Sequence, residues 1–292
     1  MWDQKSHAEE YLLYPQNIGE RLSIDEVALT QGELYTIVTN KSGKGKKGSL
    51  VAIIEGTRTE EITKVLDLIP TSSRIKVKEV TLDMAKNMES AVKRSFVNSK
   101  LVTDHFHVVR LVSDALQHIR IKFRWEAIEA ENKAIKEAKT INAKYQPLVY
   151  ANGDNPKQLL ARSKYLLYKY PTSWTQSQAK GANILFQEYP LLKEAYEKVN
   201  QFRNIFSNKN LNKAEIQFKQ WFREVAELNI EQFNTTVHSL EYHLDNILNF
   251  FYHRSTNANA ESFNAKIKGF RALLKGVSDT KFFLFRLEKL FA

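Results

Sequence analysis

The chain has 292 residues, 43% of them hydrophobic, enough to bury one large core or a core domain with a sizeable insertion; a disordered tail is excluded. It has no cysteine, which excludes disulfides, cysteine–zinc sites and a cysteine nucleophile together. Forty-three Lys and Arg against 33 Asp and Glu give a formal net charge of +10, a balance that suits a polyanionic partner because neutralised phosphates release their counterions. The opening Met1-Trp-Asp-Gln-Lys5 is not a signal peptide, and no apolar run is long enough to span a bilayer. The expectation is a soluble, cytoplasmic protein without membrane contact.

After a lead-in over residues 1–20, Leu22-Ser-Ile-Asp-Glu-Val-Ala-Leu29 and Leu34-Tyr-Thr-Ile-Val38 read as strands joined by a hairpin turn at Gln31-Gly32. Lys41-Ser-Gly-Lys-Gly-Lys-Lys-Gly48 is a flexible basic loop. Leu50-Val-Ala-Ile-Ile54 is continuously apolar, as a central buried strand is. Ile62, Val65, Leu66 and Ile69 recur at helical spacing until Pro70-Thr-Ser-Ser73 ends the helix. Val77 to Leu82 is a fourth strand ending at Asp83. Met84, Met88, Ala91, Val92 and Phe96 stripe the next helix, and Lys100-Leu-Val-Thr103 is a fifth strand ending at Asp104. The order β-β-β-α-β-α-β describes a five-stranded mixed sheet flanked by helices.

From Phe106 to about Phe251 strand signals vanish, and the composition predicts an insertion of five or six helices, broken at Gly153-Asp-Asn-Pro156 and Tyr170-Pro-Thr-Ser173. A further helix begins near Asn257. The predicted organisation is therefore a mixed α/β core over 21–112 and 253–292, interrupted by the helical segment 113–252.

Carboxylates carry the chemistry. Phosphodiester hydrolysis and transfer need an activated oxygen nucleophile and a stabilised leaving oxygen, and two Mg²⁺ or Mn²⁺ ions can serve both. Such ions take oxygen ligands, so acidic residues must converge from separate elements. Asp25, Asp83 and Glu261 could supply them. Singly, Asp25 also reads as an outward strand residue and Asp83 as a helix N-cap. On the last helix Glu261, Asn264 and Lys268 share one face, while Phe263, Ile267, Phe270 and Leu274 share another that would pack on the sheet. Asp104-His-Phe-His-Val-Val109 is the densest local cluster. Two histidines with no further His or Cys nearby make a poor zinc site, so a structural role for His107 beside Asp104 is expected.

These segments resemble bacterial DDE insertion-sequence transposases of the ISL-three type, through Leu22-Ser-Ile-Asp-Glu26, Val80-Thr-Leu-Asp-Met84, Leu101-Val-Thr-Asp-His-Phe-His-Val108 and Asn259-Ala-Glu-Ser-Phe-Asn-Ala-Lys-Ile-Lys268. The likeness runs over nearly the whole chain. It implies an RNase H-like core and metal-dependent cleavage of double-stranded DNA at transposon ends, followed by joining to target DNA. Asp25 and Glu261 carry over as metal ligands. Strand order selects Asp83 as the third, with Asp104 and His107 as functional support; exchanging Asp83 and Asp104 is the alternative. Members of the family usually begin with a cysteine-rich zinc-binding segment and a helix-turn-helix region, and this chain has no cysteine and about twenty residues before its first predicted strand. A companion polypeptide that recognises the ends, or a fragmentary chain, is the expectation, as is a homodimer on DNA.

Expected DNA contacts are Lys44, Lys46 and Lys47 of the basic loop, which also reads as a solvated hairpin tip, with Asn264 and Lys268 of the polar helix face. Arg162-Ser-Lys-Tyr-Leu-Leu-Tyr-Lys-Tyr170 and Lys219-Gln-Trp-Phe-Arg223 interleave base and ring. Such rings stack on unpaired bases or, for most of Tyr165, Trp221 and Phe222, form helix-packing core. Competing functions are a nuclease of the same fold that never joins strands, and an inactive, domesticated DNA-binding protein.

Overall fold

The computed structural model describes residues 11–28, 34–273 and 280–291. The Gln31-Gly32 turn, Leu29 and Leu274 lie outside them. The chain divides into two compact units, Met1–Val108 with His243–Ala292, and Val109–Tyr242.

The first unit is built on a mixed sheet of strands β1 (Tyr11–Leu13), β2 (Arg21–Ala28), β3 (Leu34–Asn40), β4 (Leu50–Glu55), β5 (Glu79–Leu82) and β6 (Lys100–Thr103), in the spatial order β1-β4-β3-β2-β5-β6. The meander β2-β3-β4 is antiparallel, whereas β5 and β6 run parallel to β2. This mixed order with helical crossovers is the RNase H-like arrangement expected, with one correction. Among the described residues the sheet has six strands rather than five, because Tyr11–Leu13 of the supposed lead-in pairs antiparallel with β4 at the edge. Three residues ending before Pro15 are too short for a period-2 pattern to register in sequence.

Side-chain alternation divides the core between the two faces of the sheet. Leu22 and Ile24 of β2 point to one face, with Val80 and Leu82 of β5. There they meet Ile62, Val65 and Leu66 of helix α1 (Thr59–Leu66) and Met88, Ala91 and Val92 of α3 (Lys86–Ser95). Between α1 and β5, Pro70 does not merely stop a helix; it starts the short turn α2 (Thr71–Arg74). Val27 of β2, Tyr35 and Ile37 of β3, and Leu50 and Ile53 of β4 point to the opposite face. They pack on Phe263 and Ile267 of a later helix, α12 (Ala258–Leu273), and on Phe283, Leu284 and Leu287 of α13 (Thr280–Phe291). A register shift between Val38 and Thr39 bulges β4 at Val51, so both Val51 and Ala52 join the first face.

The second unit is helical. It holds most of α4 (His105–Thr140), then α5 (Pro156–Arg162), α6 (Gln176–Glu188), α7 (Pro190–Ile205), α8 (Leu211–Glu227) and α9 (Glu231–Tyr242). Capping residues set the helix starts: Asn155 and Thr175 each accept from the amide three residues on, which belongs to Gln158 and Gln178, and Asn210 accepts from the Lys213 amide. Its centre is aromatic, with Phe202 4.7 Å from Trp221 and 5.5 Å from Phe218 between ring centroids. Short helices α10 (Leu244–Leu248) and α11 (Phe250–His253) return to the first unit. Among the described residues no helix is long and apolar enough to cross a membrane.

Candidate active site

Strand register brings three carboxylates into one row. Ser23 of β2 stands opposite Thr81 of β5, so the same register carried two residues further sets Asp25 level with Asp83. Leu82 pairs with Thr103 of β6, and one step more sets Asp83 level with Asp104. Because alternation is strict, all three lie on the α12 face, at or near the carboxyl ends of the parallel strands where sites of α/β sheets gather.

Asp25 is a buried carboxylate, 9% exposed, and not an outward-facing strand residue. Its Oδ1 accepts from the Glu26 amide at 2.9 Å, and its Oδ2 accepts from Asn264 Nδ2 of α12 at 2.7 Å. Burial raises its pKa from 3.8 to about 6, the Glu26 amide and His107 oppose the rise, and the nearby charges of Asp83 and Glu261 add to it. Asp83, half-buried, follows β5 directly, and its Oδ1 accepts from the Ala85 amide at 2.9 Å in an Asx turn. Asp83 is not the N-cap of α3, which is Ala85; its turn precedes the helix.

Asp104 is almost wholly buried. Its amide donates to the Leu82 carbonyl at 2.8 Å, extending the β5–β6 ladder, and its Oδ1 accepts from the Asn257 amide at 3.4 Å. One helical turn on, His107 Nε2 lies 4.0 Å from Asp104 Oδ2 and 3.8 Å from Glu261 Oε1. Asp104, His107 and Glu261 each offer a ligand atom, and these atoms lie within 4.8 Å of one another. Asp25 and Asp83 are not in that tightest group, but the charges of His107 and Glu261 act on Asp25. A set of carboxylate oxygens around one imidazole, with burial and then neighbouring like charges raising the pKa of Asp25, is a donor set that fits a hard divalent cation.

The polar stripe of α12 divides. Glu261 is exposed at the cluster, and Lys268 is exposed. Asn264 is not presented outward: it is buried, turned inward to Asp25, and its Oδ1 has no hydrogen-bond partner among the described residues. Lys44, Lys46 and Lys47 are exposed on a loop that is less free than its composition suggests. It opens with a 3₁₀ turn at Lys41–Gly43 held by the Asn40 side chain, and Lys266 of α12 donates to the Gly45 carbonyl at 3.1 Å.

Two groups escaped sequence reasoning. Lys41 turns under the sheet, bonds the Thr81 hydroxyl and lies 3.8 Å from the buried Glu79 carboxylate. Burial lowers its pKa to about 8, against the attraction of Glu79 and Asp104. Nothing in a run of four lysines marks which one is internal. His243 is buried, its Nδ1 3.5 Å from Glu89 Oε2, and burial lowers its pKa. A lone histidine on a helical stretch carries no signal for that pairing. In the second unit Trp221 and Phe222 are core, whereas Tyr165 is 69% exposed with Lys164 Nζ 5.2 Å above its ring.

No curated protein gives a match to this chain. The family model described as transposase, for the DDE enzymes of the ISL-three type, matches residues 22–287, from the first residues of β2 to within α13. That span takes in the carboxylate row, the Asp104–His107 turn and the Glu261 helix, and the chain belongs to the DDE transposases of the ISL-three type.

Proposed function

We propose that this DNA transposase cuts double-stranded DNA at transposon ends and joins the freed 3′ ends to target DNA, with Asp25, Asp83 and Glu261 holding two Mg²⁺ or Mn²⁺ ions. The observation that carries the reading is the strand register that sets Asp25 level with Asp83, with Glu261 of α12 near enough for its charge to act on Asp25. Bound there, the ions would lower the pKa of a water or DNA 3′-hydroxyl and neutralise the leaving oxygen. The protein groups do the rest. Asn264 and the Glu26 amide fix the two oxygens of Asp25, the Ala85 amide fixes Asp83, and the buried Asp104 sets the orientation of His107 beside Glu261. Exposed Lys44, Lys46, Lys47 and Lys268 would hold phosphates near the site.

The unit Met1–Val108 with His243–Ala292 is the catalytic core in this reading, and Val109–Tyr242 is an insertion. Joining two ends in concert asks for a dimer on DNA. A companion polypeptide would recognise the end sequence. The proposed site of action is the cytoplasmic nucleoid.

One observation favours a second ligand set. Asp104, His107 and Glu261 are the residues whose ligand atoms lie closest together. The test is Mn²⁺-dependent cleavage and joining of labelled transposon-end DNA by the wild type, Asp83→Ala and Asp104→Ala. Loss in Asp83→Ala alone supports the first set, and loss in Asp104→Ala alone redraws it. Cleavage without joined product makes the chain a nuclease. DNA binding with no cleavage by the wild type, even with a companion present, makes it an inactive domesticated binder.

A further inference from the structure

Phe106 opens α4 between His105 and His107, two residues from Asp104, and it is 52% exposed. Its neighbours along the helix behave differently: Val108 and Val112 are fully buried. The ring meets His107 edge-on, with centroids 5.7 Å apart and planes at 88°, and His107 in turn faces Glu261. Among the described residues of this unit the other aromatic ring more than half exposed is Tyr252, and it is covered on one face by Lys100 Nζ, 4.5 Å from its centroid. Phe106 thus presents an apolar plane to solvent beside the carboxylate cluster.

We propose that Phe106 is a stacking platform for an unpaired nucleobase at the DNA end being processed. Aromatic rings stack on any base because every base has a π-face, so the ligand class is a nucleobase freed from its pair rather than a given sequence. A base inside a duplex has both faces covered by its neighbours, and only a base at an opened or extruded position can take the ring. The edge-on contact with His107 holds the ring beside a residue that itself faces Glu261. This inference rests on the catalytic reading of the Asp25, Asp83 and Glu261 site, because it is that reading which brings a DNA end to Phe106.

The test uses the full chain with Ca²⁺ in place of Mg²⁺, so that complexes form without turnover. Two duplexes of the same end sequence are compared, one fully paired and one with its last three pairs mismatched. Wild type binds the mismatched end more tightly. Phe106→Ala loses that preference by roughly tenfold, within the range of base–aromatic stacking, and Phe106→Trp retains it. Matched melting temperatures for the three proteins show that the change is not unfolding. Phe106→Ala with the wild-type preference overturns the proposal, as does a preference lost equally in Phe106→Trp. Glu261→Gln, assayed for cleavage in Mg²⁺, keeps the two ideas apart. If it cuts normally, the ligand assignment fails, while the binding ratio still decides the role of Phe106.

Discussion

Asn264 and Asp25 are 239 residues apart and joined by a 2.7 Å hydrogen bond from the asparagine Nδ2 to the carboxylate Oδ2. The bond links the late helix α12 to the first long strand, so one side chain carries both the register of α12 on the sheet and the orientation of a buried acid. Removing the supporting partner of a metal-binding carboxylate typically costs 10–100-fold in metal affinity or activity. Asn264→Ala is expected to fall in that range for Mn²⁺-dependent cleavage, with the Mn²⁺ concentration at half-activity raised. Asn264→Asp should be worse, because it sets a second anion against a carboxylate whose pKa already stands near 6. Wild-type metal dependence in Asn264→Ala would show that the bond is structural only.

The raised pKa of Asp25 has a definite sign for stability. Its folded value, about 6, lies above the ordinary 3.8, so the folded protein binds the proton more readily than the unfolded chain does. The contribution is fully present below pH 3.8 and is lost as pH rises through about 6. At neutral pH the metal-free protein therefore carries an unfavourable buried charge. Asp25→Asn should raise the metal-free melting temperature at pH 7.5 by an amount set by roughly 1–3 kcal/mol, less what is lost where the Glu26 amide no longer has a carboxylate. The same variant should abolish cleavage. Thermal melts at pH 7.5 and 4.5 check this: the gain must shrink at the lower pH.

Much of this arrangement was legible because it depends on local periodicity. The period-2 pattern around Asp25, the apolar run Leu50–Ile54, and the 3.6-residue stripe Phe263–Ile267–Phe270 each name their element and buried face before any fold is seen. Asp83 and Asp104 were legible as strand-end acids for the same reason. What stayed hidden depends on pairings between distant segments. Asn264 was expected among the outward polar residues because helical spacing groups it with Glu261 and Lys268, but spacing alone does not say how deep α12 settles on the sheet. Tyr11–Leu13 became a strand only through β4, its partner 40 residues on. The inward turn of Lys41 depends on Glu79 and Thr81, from a strand that the local sequence cannot know.

The Lys41–Glu79 pair predicts a non-additive response. Glu79 is buried and the Lys41 side chain is only 13% exposed, their closest charged atoms are 3.8 Å apart, and Lys41 also bonds the Thr81 hydroxyl. Removing one member of a buried pair strands the other and typically costs about 3–5 kcal/mol, whereas replacing both by apolar groups is often neutral. Lys41→Met should destabilise strongly, Glu79→Leu likewise, and the double variant should recover most of the loss. Urea denaturation of the four proteins measures the coupling. Additive losses would mean that the two charges act independently.

Trp221 and Tyr165 should separate folding from DNA contact in the helical unit. Both stand in segments that interleave basic and aromatic residues, yet the structure assigns them opposite surroundings. Trp221 is 2% exposed, packs on Phe202, and donates from Nε1 to the Lys198 carbonyl at 2.8 Å. Trp221→Ala removes that bond and opens a cavity, which for a buried Trp costs about 3–5 kcal/mol. Most of the stability of this unit is expected to go with it. Tyr165 is an exposed ring with a lysine above it, so Tyr165→Ala should stay within about 0.5 kcal/mol of wild-type stability. If Tyr165 stacks on an unpaired base, that variant should bind single-stranded DNA roughly tenfold more weakly. Because an aromatic contact releases no counterions, the dependence of affinity on salt should be unchanged, whereas Lys164→Ala should flatten it by about one phosphate contact. Fluorescence anisotropy across a salt series reads both quantities, and a Tyr165→Ala variant with unaltered affinity at every salt concentration would remove this ring from the DNA-binding surface.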